Sequence, residues 1–347
     1  MPTIGIFRAF APRICTLLIT ALLIAANSAV AAPAEAPFSL LYSPETRLVL
    51  GEVTEINPAG RIVFKRIRVF DKSTDVPELV DVIVGETELA SVRLGETYVV
   101  GYSLFHHDRK AGGVAPNRKG AILITSVGLE PALFRDAPVI RKILSLADSE
   151  HGRESRQMRR LLIDALSGSN RPLQLLAAGQ LAYDIELGER LDSRDRDVIA
   201  RVGLASGTDN RVRGLLISAA ATRPGELGNW SGDAIREVLA STPVGGYPSG
   251  AMDPTGLVLL AFAEAHVEGV QVPLGSVTRW LRSPHRLLVE KSRVLLGAKF
   301  PADAKKALEE ARDDPTLIQE TRTYIDDQLR QFERQDAGSG AQQQGPG

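Results

Sequence analysis

The hydrophobic period of this chain changes once, near Pro131, and that change limits what the chain can fold into. From Arg47 to Leu129 apolar residues tend to alternate with polar ones. Beyond Pro131 they recur every three to four residues. A period of two belongs to a strand with one buried face, and a period of about 3.6 to an amphipathic helix. The expected fold class is therefore α+β: a small β-rich region followed by an all-α region. With 44% hydrophobic residues the chain has the material for a real core, which excludes wholesale disorder.

The β-rich region is expected over residues 38–130. A first strand covers 47–56, and Asn57-Pro58-Ala59-Gly60 supplies turn chemistry. A second covers 61–70, where the alternation falters at Lys65-Arg66 as it would at a bulge or bend. Further strands are expected at 79–84, 96–105 and 121–129. Five or six strands with turns between them predict a small barrel or sandwich. The run from Gly51 to Val69, followed by Leu94-Gly95-Glu96-Thr97-Tyr98-Val99-Val100, resembles OB-type netrin-like domains. That resemblance implies an OB-like barrel, although the cysteines of that family are absent here. Such a fold does not by itself specify a ligand. The segment 106–120 has no apolar period and reads as a long loop between two strands.

The helical region is expected over 138–335, with helices at 138–149, 154–166, 172–187, 194–205, 211–222, 232–240, 254–266, 274–281, 286–299, 302–311 and 315–332. Ser193, Asp209, Ser231 and Asp253 are expected N-caps, because their short side-chain oxygens can accept orphan backbone N–H bonds. Pro254 and Pro315 are placed at first helical positions. The longer, more apolar helices, such as the one opening Pro172-Leu173-Gln174-Leu175-Leu176, alternate with more amphipathic ones. Their starts lie some 30 to 43 residues apart. This pairing resembles the HEAT-like helical repeats, which implies a solenoid of stacked hairpins with one extended surface. An irregular bundle is the competing reading. The Gly- and Gln-rich tail, 336–347, is expected to be disordered.

The first 31 residues read as a signal peptide. Arg8 and Arg13 precede a thirteen-residue apolar run from Ile14 to Ala26, and Ala29-Val30-Ala31 gives a small-x-small cleavage pattern. The run is short for a membrane span, which needs about 20 apolar residues. Cleavage after Ala31 removes Cys15, the only cysteine. It also removes two of the 41 basic residues, leaving 39 against 42 acidic and a net charge of −3. The expected location is periplasmic or secreted, with no transmembrane span in the mature chain. The charge balance offers no reason to bind nucleic acid.

The sequence carries no Gly-x-Ser-x-Gly, His-Glu-x-x-His, P-loop or dinucleotide fingerprint. No catalytic, cofactor-binding or metal-binding residue is assigned, and no cofactor is expected. Candidate interaction residues are fewer. Arg153, Arg156 and Arg160 would share one face of a continuous helix and suit a carboxylate or phosphate, hence an anionic envelope ligand. Glu150, Glu154 and Asp164 are close enough in sequence to pair with them. Trp230 and Trp280 are binding anchors or packing residues, and His106-His107 is the one adjacent histidine pair. The expected function is a non-catalytic scaffold that binds a partner protein in the cell envelope. The alternatives are glycan or small-ligand binding by the β-region through Tyr98 and Tyr102, and a hydrolase acting on envelope polymers.

Overall fold

The computed structural model describes residues 35–58, 60–70, 76–104, 121–123, 132–247, 253–267 and 269–342. The expected signal peptide, the 106–120 loop and His106-His107 lie outside the described residues. So does most of the last expected strand. The described residues from Ala36 onward form one compact unit.

A short helix, α1 (Pro37–Leu41), leads into the sheet. The strands are β1 (Thr46–Asn57), β2 (Arg61–Val69), β3 (Leu79–Ile83), β4 (Thr97–Leu104), β5 (Ala121–Leu123) and β6 (Leu133–Arg135). Helix α2 (Glu86–Ser91) lies between β3 and β4. Neither α1, α2 nor β6 is visible in the hydrophobic period, because each is shorter than the windows in which a period can be read. The neighbour order is β1-β2-β3-β5-β4-β6, and β1 also pairs with β4. The pairings of β1 to β5 therefore run in a closed circuit. All are antiparallel except β3 with β5.

The turn between β1 and β2 needs a glycine, since Gly60 sits at φ 85°. The irregularity at Lys65-Arg66 is a register shift: Leu50 faces Arg68 while Gly51 faces Arg66, leaving Ile67 as the extra residue. Alternation then sorts the side chains. Val49, Val53, Ile62, Phe64, Val82, Tyr98 and Val100 form one core inside the sheet. Leu48, Leu50, Val99 and Phe134 point the other way and join the core of the helices.

Apart from the single-turn helices Glu150–Arg153, Ile185–Glu189 and Pro224–Leu227, the helices that follow are α3 (Pro138–Ala147), α4 (Arg156–Ser167), α5 (Arg171–Tyr183), α6 (Ser193–Leu204), α7 (Asn210–Thr222), α8 (Ser231–Ser241) and α9 (Thr255–His266). Next come α10 (Leu274–Thr278), continued by a 3-10 turn through Arg282, then α11 (Arg286–Lys299), α12 (Pro301–Arg312) and α13 (Gln319–Gln342). Helix α13 runs into the segment read from sequence as a disordered tail. It starts four residues later than the proline rule suggests. Asp314 uses its carboxylate on the N–H and hydroxyl of Thr316, which makes a turn before the helix. Asp209 caps as expected. Asp253 stands one residue outside the cap: its carboxylate accepts from the Thr255 N–H, but Pro254, expected as the first helical residue, is itself the cap, and the helix begins at Thr255. Ser193 does not: Asp192 is the cap, in a reciprocal box with Asp195. Ser231 is the first helical residue, behind Trp230.

Consecutive helices pair as α4 with α5, α6 with α7, α8 with α9, α10 with α11 and α12 with α13. The second members also pack in a row, α5 on α7, α7 on α9, α9 on α11 and α11 on α13. Short bonds hold that row in parallel register. Arg171 near the start of α5 pairs with Asp209 at the start of α7. At the other end, Arg223 donates to the carbonyls of Leu181 and Ala182, both at 2.7 Å. Ser218 Oγ lies 3.3 Å from Glu264 of α9. No helix among the described residues is long and apolar enough to cross a membrane.

Candidate functional site

The tryptophans serve packing within the chain. Trp280 is fully buried, its Nε1 donating to the Leu239 carbonyl at 2.9 Å and its ring edge-on to Phe262. Trp230 is 8% exposed, donates to the Leu227 carbonyl, and covers Gly203. An indole whose ring is enclosed and whose N–H is satisfied offers no surface to a partner. Tyr98 and Tyr102 are likewise buried in the sheet core, so their shared face is not an aromatic platform.

The arginine face does not form as the spacing implied. The helix is broken between Arg153 and Arg156, because Ser155 caps α4 by accepting from the Met158 N–H. Arg153 belongs to the preceding turn, donates to the Ala147 carbonyl at 2.6 Å, and lies over the Tyr42 ring. Arg156 and Arg160 are exposed on α4. Glu154, expected beside them, pairs instead with Arg190 at 3.2 Å. Arg159 between them is engaged by Asp192 and Asp195 of the next hairpin. Among the described residues no three His, Cys, Asp or Glu side chains are grouped to hold a metal ion.

What the tertiary structure does assemble is a trough over α7, a cavity of about 560 Å³. Its floor is a stripe of α7 that includes Gly214, Leu215, Ser218 and Ala219, spaced so that they share one helical face. Leu175 and Tyr183 of α5 wall one side, and Leu257 and Leu260 of α9 the other. The row of helices is parallel, so the starts of α7 and α9 meet at one end. Asn210, Arg211, Asp253 and Gly256 line that end, while Tyr183 and Thr222 line the opposite one.

The charged end is structured. Asp253 Oδ1 accepts from the Thr255 N–H at 2.8 Å and from its hydroxyl at 2.6 Å. These two bonds hold the Asp253 carboxyl below the usual carboxylate range. Close by in sequence, Tyr247 stacks on His285 with ring centroids 4.9 Å apart. Burial, with the Asp253 charge adding to it, pushes the Tyr247 phenol up to about 12. Arg211 is exposed, with its Nε 3.7 Å from Asp209.

The trough was not identified from sequence. Its one legible signal is glycine inside helices: Gly214 within α7 and Gly256 in the first turn of α9. A volume of this size lies within the ~300–1,000 Å³ of small-molecule sites, which are mostly apolar with a few placed polar groups. Comparison with family models, with curated proteins and with solved structures finds no match.

Proposed function

We propose that the chain is a secreted, bacterial-periplasmic scaffold without catalytic activity, whose helical-repeat surface binds a partner protein. In this reading the strands make an OB-like barrel and the helices a HEAT-like solenoid. The closed pairing circuit of β1 to β5 supports the first, since closure removes sheet edges.

The observation that carries the second is a hydrogen bond to an earlier hairpin that recurs at nearly constant separation. Arg223 reaches back 41 and 42 residues to Ala182 and Leu181. Arg279 reaches back 40 to the Leu239 carbonyl, Ser283 reaches back 39 to Val244, and Thr321 reaches back 38 to Ser283. A repeat that contacts only its neighbours produces this pattern, and stacking such repeats leaves one extended surface for a partner.

The test is capture from envelope extract under mild crosslinking, with residues 32–347 as bait. One partner recovered repeatedly, and weakened by charge reversal at the exposed pair Arg156→Glu and Arg160→Glu, is expected. A bait that recovers no protein in repeated captures overturns the scaffold reading.

A further inference from the structure

We propose that the trough over α7 binds a single-chain amphiphile with a zwitterionic head, its alkyl chain along the helix and its head between Arg211 and Asp253. This goes beyond partner binding and stands on different residues.

The first argument is the pair of glycines. Glycine inside a helix costs about 1 kcal/mol relative to alanine, so it needs a reason. The chain's own packing supplies none here. A Cβ on Gly214 would meet Leu260 at 3.5 Å, an ordinary contact, and a Cβ on Gly256 would meet nothing within 4 Å. Neither residue has a positive φ. Open space beside a helical glycine is not informative alone, because Gly275 and Gly297 share it. What distinguishes Gly214 and Gly256 is that both line one cavity. Side chains there would fill it.

The second argument is the distribution of polarity. The middle is lined by Leu175, Leu215, Leu257 and Leu260. Its polar atom, Ser218 Oγ, is engaged with Glu264. An extended peptide lying there would leave its N–H and C=O groups without partners, which is costly, whereas an alkyl chain needs none. Thirteen residues of α7 give the trough a length of about 18 Å. That suits an extended chain of fatty-acid length.

The third argument is the charged end. Its lining holds one guanidinium, Arg211 in the first turn of α7 and facing Asp209 from one side, and one carboxylate, Asp253 two residues before α9. A carboxylate head alone would meet Asp253, and an ammonium head alone would meet Arg211. A head carrying both signs pairs with both.

The experiment is calorimetric titration of the full chain with myristoyl lysophosphatidylcholine below its micelle concentration. Myristate and a tetradecyl ammonium salt are titrated in parallel. One-to-one saturable binding is expected, tightest for the zwitterion. Gly214→Leu with Gly256→Leu is expected to weaken it by about tenfold or more. Both changes favour helix, so the melting temperature of that variant should not fall, and Gly297→Leu serves as a control outside the trough. Asp253→Asn, which keeps an acceptor for Thr255, should reduce the preference for the zwitterion over myristate. No saturable binding, or binding unchanged in the filled variant, overturns the site. Equal affinity for all three heads overturns the head assignment. Amphiphile binding without partner capture, or the reverse, separates this inference from the scaffold reading.

Discussion

At the scale of single residues, Arg223 acts as a backbone clamp between helices. Arg223 spans two carbonyls at the end of α5 and pairs with Glu226, while 87% of its side chain is covered. Its planar fork matches two acceptors at once, which a lysine ammonium does not. Arg223→Met is expected to destabilise by about 1.5–3 kcal/mol, the range of hydrogen bonds to charged groups, and Arg223→Lys to recover little of it. Urea midpoints with unchanged slopes would establish both. A second residue controls the acid limb. Hydrogen bonds from Thr316, with Arg282 adding to them, hold the Asp314 carboxyl at about 2. A depressed folded pKa adds stability above the unfolded value, near 3.8, and loses it as pH falls towards 2. The stability advantage of the natural chain over Asp314→Asn should therefore be full at pH 6, largely lost by pH 2 and gone only below it. An advantage that persists unchanged at low pH would contradict this. The exposed site makes the effect small and salt-sensitive.

At the scale of elements, two helical glycines with the same local propensity have opposite roles. Gly203 of α6 lies under the Trp230 ring, and a Cβ there would collide with it. Gly203→Ala should destabilise by about 1–3 kcal/mol despite its better helix propensity, because the indole is enclosed and cannot shift away. Gly214→Ala should stabilise by about 0.5–1 kcal/mol. Thermal melts of the two variants, moving in opposite directions, are the check. Nothing in the local sequence separates these glycines. The difference lies in what the neighbouring helix brings over each. Caps show a similar divide. Asp209 is legible because a short acceptor precedes a periodic run. Asp192 was not preferred over Ser193, because the two are adjacent and both can cap. The reciprocal bond to Asp195 decides between them. The arginine face failed for the same reason in reverse: the Ser155 cap interrupts a pattern that looks continuous in sequence.

At the scale of the whole molecule, sheet and helices share a core. Leu48, Leu50, Val99 and Phe134 join the same apolar cluster as Leu144, Leu166 and Leu176. The α1 segment reinforces this. The Phe38 N–H donates to Gln180 of α5 at 3.1 Å, and the Tyr42 hydroxyl donates to the Leu144 carbonyl at 2.6 Å. Calorimetry on the full chain should therefore show one main transition with matching calorimetric and van't Hoff enthalpies. Two well-separated transitions would mean that the sheet and the helical row unfold independently. The segregation of strands before helices, most element positions and the alternating inward faces followed from the sequence, because hydrophobic period and turn chemistry act over a few residues. The closure of the strand circuit, the parallel row of second helices and the trough over α7 did not. Each depends on which distant residues meet: β1 with β4, Arg223 with Leu181, Gly214 with Leu260. A linear sequence records the short-range preferences that build elements. Only the packed structure decides where surfaces left by those elements fail to fill one another, and the trough is such a place.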